Sequence, residues 1–391
     1  DMDFVPQHMQ KRYEDWVNNL QRDRNISRNR SFGIPIPLWY SKKTWEIILP
    51  DNNQYPLDPL EDMPKLLPDW HTQEDILPET MLFDTRFTSG LTPEINRELL
   101  RNRGASEIPE QFDLRPQAHD IIRTRLFYTT IHSHYADQQA PFKHVMMSGH
   151  VLAKKWEKIS KSKWNASFGP EQLIESYWAD ASRYRSASGQ LGRDMAFDES
   201  ELKNWQKLIT KLRNVAQFLK LHLLEQSDPI DFEDLYITDQ WILSRLDETI
   251  QRVGKAYENY EVGLAKIAFE EFFWHDFCDN YLELIKHRLY KPELYENWEQ
   301  LKASAQQTLH KALWAILRMI APILPHITEE LYHDLFKARY WQLSIHQFDF
   351  PKHEDLWELD AHWLLQVVSD VRSYKTSHQL SLGAELSTIT I

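Results

Sequence analysis

The chain has 391 residues, enough for two or three domains of ordinary size. It is 42% hydrophobic and 26% charged, which excludes a disordered chain, and no run of about 18 apolar residues is available to cross a membrane as a helix. Its net charge of −13 says little about nucleic-acid partners, because these are met by local basic patches rather than by totals.

In chain order, the opening DMDFVPQHMQKRYEDW has neither the basic cap nor the apolar stretch of a signal peptide, so a cytoplasmic protein without a membrane partner is expected. QKRYEDWVNNLQR places Tyr13, Trp16, Val17 and Leu20 on one helical face. IPIPLWY (34–40) and WEIILP (45–50) are short, apolar and bounded by proline, and read as strands or extended segments. Residues 51–80, rich in Pro, Asp and Asn, read as an irregular connection. HDIIRTRLFYTTIHSHY (119–135) reads as a helix, and FKHVMMSGHVL (142–152) as a buried strand running into a loop. Beyond residue 170 the texture changes. EQLIESYWADASRYRSAS and five further segments after it carry 3.6-residue apolar periodicity, which predicts a helical bundle. The aromatic stripe Phe272, Phe273, Trp274 and Phe277 is expected in its core.

Cys278 is the single cysteine, so an internal disulfide and a cysteine-based zinc site are excluded. His132 and His134 lie two apart in a predicted helix and do not share a face, so no metal site is expected. Glycine is scarce. Ten occur against 15 tryptophans, where average usage of about 7% would give roughly 27.

The stretch KKWEKISKSKWN sets Lys154, Lys155, Lys158, Lys161 and Lys163 against Glu157, five positive charges and one negative within ten residues. Such a run can be a solvated loop. It can also be a polyphosphate clamp, since mobile ammonium groups follow a phosphate as its charge redistributes and Ser160 and Ser162 can donate to its oxygens.

KISKS (158–162) resembles the KMSKS motif of class I aminoacyl-tRNA synthetases, and its surroundings resemble that family in order. RNISRNRSFGIPIPLWY (24–40), DTRFTSGLTP (84–93), LRPQAHDIIRTRLFY, MSGHVL, YWADASRY, DQWILSRL and APILPHITEELY all have counterparts there. The RPQAHDIIRT and DTxFTSxLTP forms are most similar to the valyl subgroup, with the isoleucyl subgroup the near alternative. The resemblance implies an α/β Rossmann-like partial nucleotide-binding domain followed by a mostly α-helical anticodon-binding bundle. Residues 1–165 would be the second half of the catalytic domain, ending in the lysine loop. Residues 166–225 would be a stem-contact helical region, and 226–391 the anticodon-binding domain.

The implied activity is ATP-dependent activation of L-valine and its transfer to tRNA(Val), with ATP and Mg²⁺ as cofactors and a monomer as the expected state. Lys158 and Lys161 would be catalytic. ATP would be held by Lys158, Ile159, Ser160, Lys161, Ser162, Asp120, Gly149 and His150. Asp84 and Arg86 would line the amino-acid pocket. Asp120 can equally be a helix N-terminal cap, and Asp84 and Arg86 can be plain packing. Some relatives carry a CxxCG knuckle after the WY pair; Ser41 and Thr44 stand there, so no zinc is expected.

Two departures from the family pattern stand out. No HIGH motif and no editing insertion occur, so the chain is expected to hold half of a split active site, with an N-terminal half as its missing partner. An isolated half would not make adenylate; a non-catalytic tRNA-binding pseudo-synthetase is the alternative. The second departure is in residue type. Trp45, Trp156, Trp164, Trp178 and Trp205 stand where the pattern has or accepts glycine, and Arg24, Arg86, Arg125, Arg185 and Arg213 where it has tryptophan. Tryptophan in a turn that needs positive φ is strained, and arginine at apolar positions is expected to bury unpaired charge. Reading UGA as tryptophan instead of glycine, and CGA or CGG as arginine instead of tryptophan, would produce both sets. Ser182, where the pattern has leucine, is explained by neither.

Overall fold

The computed structural model describes residues 1–391 except 70, 155–156, 160–169, 198, 223–228, 292, 294–295, 357–358, 360–361, 382–383, 385, 387 and 389–391. The chain divides into two compact units, Asp1–His150 with Leu191–Arg193, and Val151–Gln190 with Asp194–Ile391.

The first unit opens with β1 (Asp3–Val5) and α1 (His8–Asn18). The apolar face of α1 turns inward: Met9 is buried, Tyr13 packs on Phe4 and Trp16 packs edge-on against Phe127. Short strands follow: β2 (Ser27–Arg28), β3 (Trp39–Ser41), β4 (Ile47–Ile48), β5 (Ile76–Pro78) and β6 (Leu82–Phe83). β3 is central in an antiparallel β4-β3-β5 sheet, built around the fully buried Trp39. Its indole N–H donates to the carbonyls of Pro59 and Asp62, so a segment that reads as irregular is pinned by a buried aromatic with a polar handle. Next come α2 (Thr85–Thr88), α3 (Thr92–Asn102), β7 (Phe112–Ala118), α4 (Phe127–Asp137) and β8 (Phe142–Ser148).

β1, β8 and β7 form a parallel sheet in that order. Its core gathers Phe4, Ile122, Leu126, Phe142, Val145 and Met147. β7 does not stand out in the sequence, because FDLRPQA carries Asp113, Arg115 and Pro116. Pro116 is tolerated because β7 is the outer strand of this sheet. The segment 119–135 is helical in three pieces: a 3₁₀ turn (His119–Ile121), a π turn (Ile122–Leu126) and α4.

The second unit begins with β9 (Val151–Lys154) and β10 (Glu157–Lys158), an antiparallel pair, and β11 (Met195–Ala196) lies parallel to β9. The strand reading of 142–152 thus divides: β8 stops at Ser148 and β9 starts at Val151. The helices are α5 (Pro170–Tyr177), α6 (Ala179–Ala187), α7 (Glu199–His222), α8 (Ile237–Glu258), α9 (Val262–Glu270), α10 (Leu282–Tyr290), α11 (Trp298–Ile320), α12 (Pro325–Leu335), α13 (Lys337–Tyr340) and α14 (His362–Ser377). A π-helical stretch, Glu271–Tyr281, joins α9 to α10. The segment that reads as one helix over 171–188 is broken at Trp178, which separates α5 from α6. Phe272, Phe273 and Phe277 are buried and stack in series, with Trp274 packed against them.

A polar hub fixes the bundle. Asp239, in the first turn of α8, accepts from the Arg288 guanidinium at 2.7 and 2.8 Å, from the Tyr281 hydroxyl at 2.7 Å and from the Ser304 hydroxyl of α11. Asp239 and Arg288 are both fully buried, so the desolvation of each charge is offset by the other. The Tyr281 hydroxyl is pushed well above its ordinary value by burial and then by the Asp239 charge, and it therefore stays a donor. Arg288→Met, which leaves Asp239 buried without its cation, should lower stability by about 3–5 kcal/mol in denaturant unfolding, whereas Asp239→Leu combined with Arg288→Met should lose markedly less.

Candidate functional site

In the first unit, parallel pairing from Phe112↔Phe142 to Ala118↔Ser148 brings β7 and β8 to their carboxyl ends side by side. This edge is where open parallel sheets place their ligands. The residues immediately beyond the strands are His119 and Asp120 after β7, and Gly149 and His150 after β8. Three predicted site residues, Asp120, Gly149 and His150, thus come together. The His150 Nε2 lies 3.8 Å from Asp120 Oδ2, within ion-pairing reach but beyond hydrogen-bond length. His119, which was not singled out from the sequence although it precedes Asp120, packs its ring edge-on to His150 with centroids 4.7 Å apart.

The segment Leu191–Arg193 adds a second element here. Gly192 donates its N–H to the Met147 carbonyl at 2.8 Å, close to the end of β8. It has φ +76°, and a Cβ there would meet Pro6 at 2.8 Å, so only glycine brings the backbone this close. The sequence signal was present, a glycine in a chain poor in them, but its partner strand lies more than 40 residues away.

The edge offers two imidazoles, one carboxylate and the backbone around Gly149. That donor set suits a ribose and phosphates: a carboxylate accepts from sugar hydroxyls, while imidazoles and amide N–H groups face anionic oxygens. Among the described residues no group of three His, Cys, Asp or Glu is arranged to hold a metal ion. His132 is half-buried against the Phe87 ring, and burial lowers its pKa.

The lysine loop belongs to the second unit. Lys158 ends β10, with Lys158 opposite Leu152 and Glu157 opposite Lys154, and Ile159 follows half-buried. Ser160, Lys161 and Ser162 lie outside the described residues, as do Trp156 and Trp164. Asp84 and Arg86 sit elsewhere in the first unit. Asp84 is buried, caps α2 by accepting from the Arg86 N–H at 2.6 Å, and forms an ion pair with Arg28; the Arg86 side chain is exposed.

The family profile described as "tRNA synthetases class I (I, L, M and V)" matches residues 1–198, and that described as "Anticodon-binding domain of tRNA ligase" matches residues 239–390. The chain belongs to the class I tRNA synthetases. Valine–tRNA ligase of Rickettsia prowazekii (strain Madrid E) is 38% identical over 412 aligned residues, covering 100% of this chain and 49% of that protein. Valine–tRNA ligase of Anaplasma marginale (strain St. Maries) is 38% identical over 398, covering 99% and 46%. The chain therefore spans about half the length of the curated synthetases it matches. The crystal structure of the ternary complex of Agrobacterium radiobacter K84 agnB2 LeuRS, tRNA and LeuAMS aligns with a TM-score of 0.62 at 17% identity, covering 94% of this chain and 51% of that one. That likeness concerns the fold alone. It agrees with a synthetase half built from a small parallel sheet and a large helical bundle.

Asp84 has a structural duty that Arg86 lacks. Asp84→Ala should cost about 1–2 kcal/mol through loss of the α2 cap, while Arg86→Ala should change stability by less than about 0.5 kcal/mol, both read from urea midpoints.

Proposed function

We propose that this chain is the C-terminal half of a valine–tRNA ligase and supplies one side of its adenylate-forming site. The observation that carries the reading is the similarity to valine–tRNA ligases along the whole chain, lysine loop included, at 38% identity. The strand-end cluster supports it, since Asp120, Gly149 and His150 meet where a nucleotide is held in such sheets.

In this reading the Asp120 carboxylate accepts from the ATP ribose hydroxyls. The backbone at Gly149 and the His119 and His150 rings lie along the nucleotide. The carboxylate of L-valine attacks the α-phosphorus, and pyrophosphate leaves as the adenylate forms. Lys158 and Lys161 follow the charge that builds on the leaving phosphates, helped by Ser160, Ser162 and the backbone of Ile159. Chemistry of this type gains from positioning and charge neutralisation rather than from a covalent protein intermediate. Mg²⁺, when bound, neutralises the phosphates; it is ordinarily held by those phosphates and by water, so the single strand-end carboxylate is compatible with it. A terminal ribose hydroxyl of tRNA(Val) then attacks the acyl carbonyl, forming the ester and losing its proton as the anhydride bond breaks and AMP leaves. Asp84, already engaged by Arg28 and the α2 backbone, would shape the wall of the amino-acid pocket, with Arg86 at its rim.

The open edge of the first unit's sheet supports a missing N-terminal half. Parallel sheets are ordinarily covered and extended on both sides, yet on the far side of β7 no strand pairs among the described residues. The edge from Phe112 to Ala118 would accept a strand of the N-terminal half, which would bring the remaining ATP contacts. Residues 1–165 would complete the catalytic domain, 166–225 would contact the tRNA stem and 226–391 the anticodon, in a cytoplasmic monomer.

The isolated chain should give no valine-dependent ATP–pyrophosphate exchange. Adding the N-terminal half should restore it, and Lys158→Ala or Lys161→Ala in the restored enzyme should lower kcat by roughly 10²–10³, the range for loss of one transition-state charge contact. Robust exchange by the isolated chain contradicts the half-site reading. Binding of tRNA(Val) without exchange after the halves are joined points to a non-catalytic module.

A further inference from the structure

Seven non-glycine residues have positive φ among the described residues, and three of them are tryptophans: Trp45 (62°), Trp178 (66°) and Trp341 (62°). Tryptophan accounts for only 15 of 391 residues and is a poor occupant of this region, because its Cβ and ring crowd the neighbouring carbonyl. Each position has a local reason to want glycine. Trp45 closes the β3–β4 turn, donating its N–H to the Ser41 carbonyl where a left-handed residue completes the hairpin. Trp341 is the left-handed residue that ends α13, the common place for a C-terminal glycine. Trp178, at φ 66° and ψ 157°, occupies a region that is essentially reserved for glycine. Packing does not explain them. Trp45 and Trp341 are 69% and 83% exposed, and Trp178 is 47% exposed.

Arginines show the complementary misfit. Arg125 lines a cavity of about 300 Å³ together with Arg115, Phe112 and Phe142, and its Nε is buried with no hydrogen-bond partner. Burial, and then the Arg125 charge beside it, pull the Arg115 guanidinium down to about 10. Arg185 is buried in α6 with its guanidinium over the ring of Trp205 in α7, 5.3 Å from the centroid. Arg213 lies 5.6 Å over Trp178. These two contacts each join a position where the family carries tryptophan to one where it carries or accepts glycine. Placing tryptophan at 185 and glycine at 205 keeps an indole at the α6–α7 contact and removes the buried charge. An indole at 125 would line the same cavity with apolar surface in place of a charge.

Not every position behaves this way. Arg24 and Arg86 are exposed, Arg213 has an ion pair with Glu330 and Arg185 donates to the Ala196 carbonyl at 2.6 Å, so the burial of unpaired charge expected at all five arginines comes down to the Nε of Arg125, whose guanidinium otherwise donates to the Thr92 hydroxyl at 3.4 Å. Trp205 is helical and buried.

We propose that in its own cell this gene is read with UGA as glycine and with CGA or CGG as tryptophan, so that the native chain carries glycine at 45, 178, 205 and 341 and tryptophan at 125 and 185. Trp341 enters this set from backbone geometry alone. The partners implied are a glycine-charged tRNA that reads UGA and a tryptophan-charged tRNA that reads CGA or CGG.

The coding DNA decides it independently of folding. UGA is expected at 45, 178, 205 and 341 and UGG at Trp39 and Trp241; CGA or CGG is expected at 125 and 185. UGG at Trp178 and Trp341, or any other arginine codon at 125 and 185, overturns the proposal. A second readout compares full chains with the literal sequence and with W45G, W178G, W205G, W341G, R125W and R185W together. The substituted chain should melt about 10 °C or more higher; an equal or lower Tm counts against the proposal.

Discussion

The parallel pairing of β7 with β8 is the contact on which the candidate site depends. Seven residues of each strand run together to a common end, and the residues that follow, His119–Asp120 and Gly149–His150, are neighbours only because of that register. A slip of one residue would turn every side chain of β7 to the other face and separate the two pairs. Val145 and Met147, buried with Phe142 and Leu126, specify the register from one side. Gly192 then fixes a third segment against the end of β8.

The bundle rests on a different device. Its helices are amphipathic and would pack in several ways at similar cost, but Asp239, Tyr281, Arg288 and Ser304 satisfy one another only in one arrangement. Leaving any one of them alone in the interior is expensive, which disfavours the alternatives. Asp180 plays a smaller part of the same kind, accepting from the Ile327 N–H at 2.6 Å and so fixing the start of α12 against α6.

Much of this was legible in the sequence, for identifiable reasons. The long helices carry strong 3.6 periodicity, and the aromatic run at 272–277 reads as core and is buried. The strand β7 was not legible, because an edge strand tolerates Pro116 and Arg115 that a central one would not. The hub was not legible either, since nothing local marks Asp239 and Arg288 as partners 49 residues apart. Asp120 and His150 were each visible through the family resemblance, while their proximity, and the contribution of His119, required the sheet. The break at Trp178 was hidden by its own side chain: glycine there would have announced the end of α5. With strain of ~1–2 kcal/mol at each left-handed tryptophan, three such positions amount to a substantial part of the ~5–15 kcal/mol that holds an ordinary domain together. The literal sequence is therefore at odds with a fold that the rest of the chain specifies consistently.

As the proposed half of a valine-specific synthetase, this chain would need the other half for its strand-end cluster and lysine loop to act. Charging of tRNA(Val) with radiolabelled valine or isoleucine, by this chain joined to the N-terminal half, tests it most directly. Valine should be attached by the joined halves and by neither half alone, and isoleucine should be attached far less efficiently. Equal charging with isoleucine, or charging with valine by this chain on its own, would contradict the account.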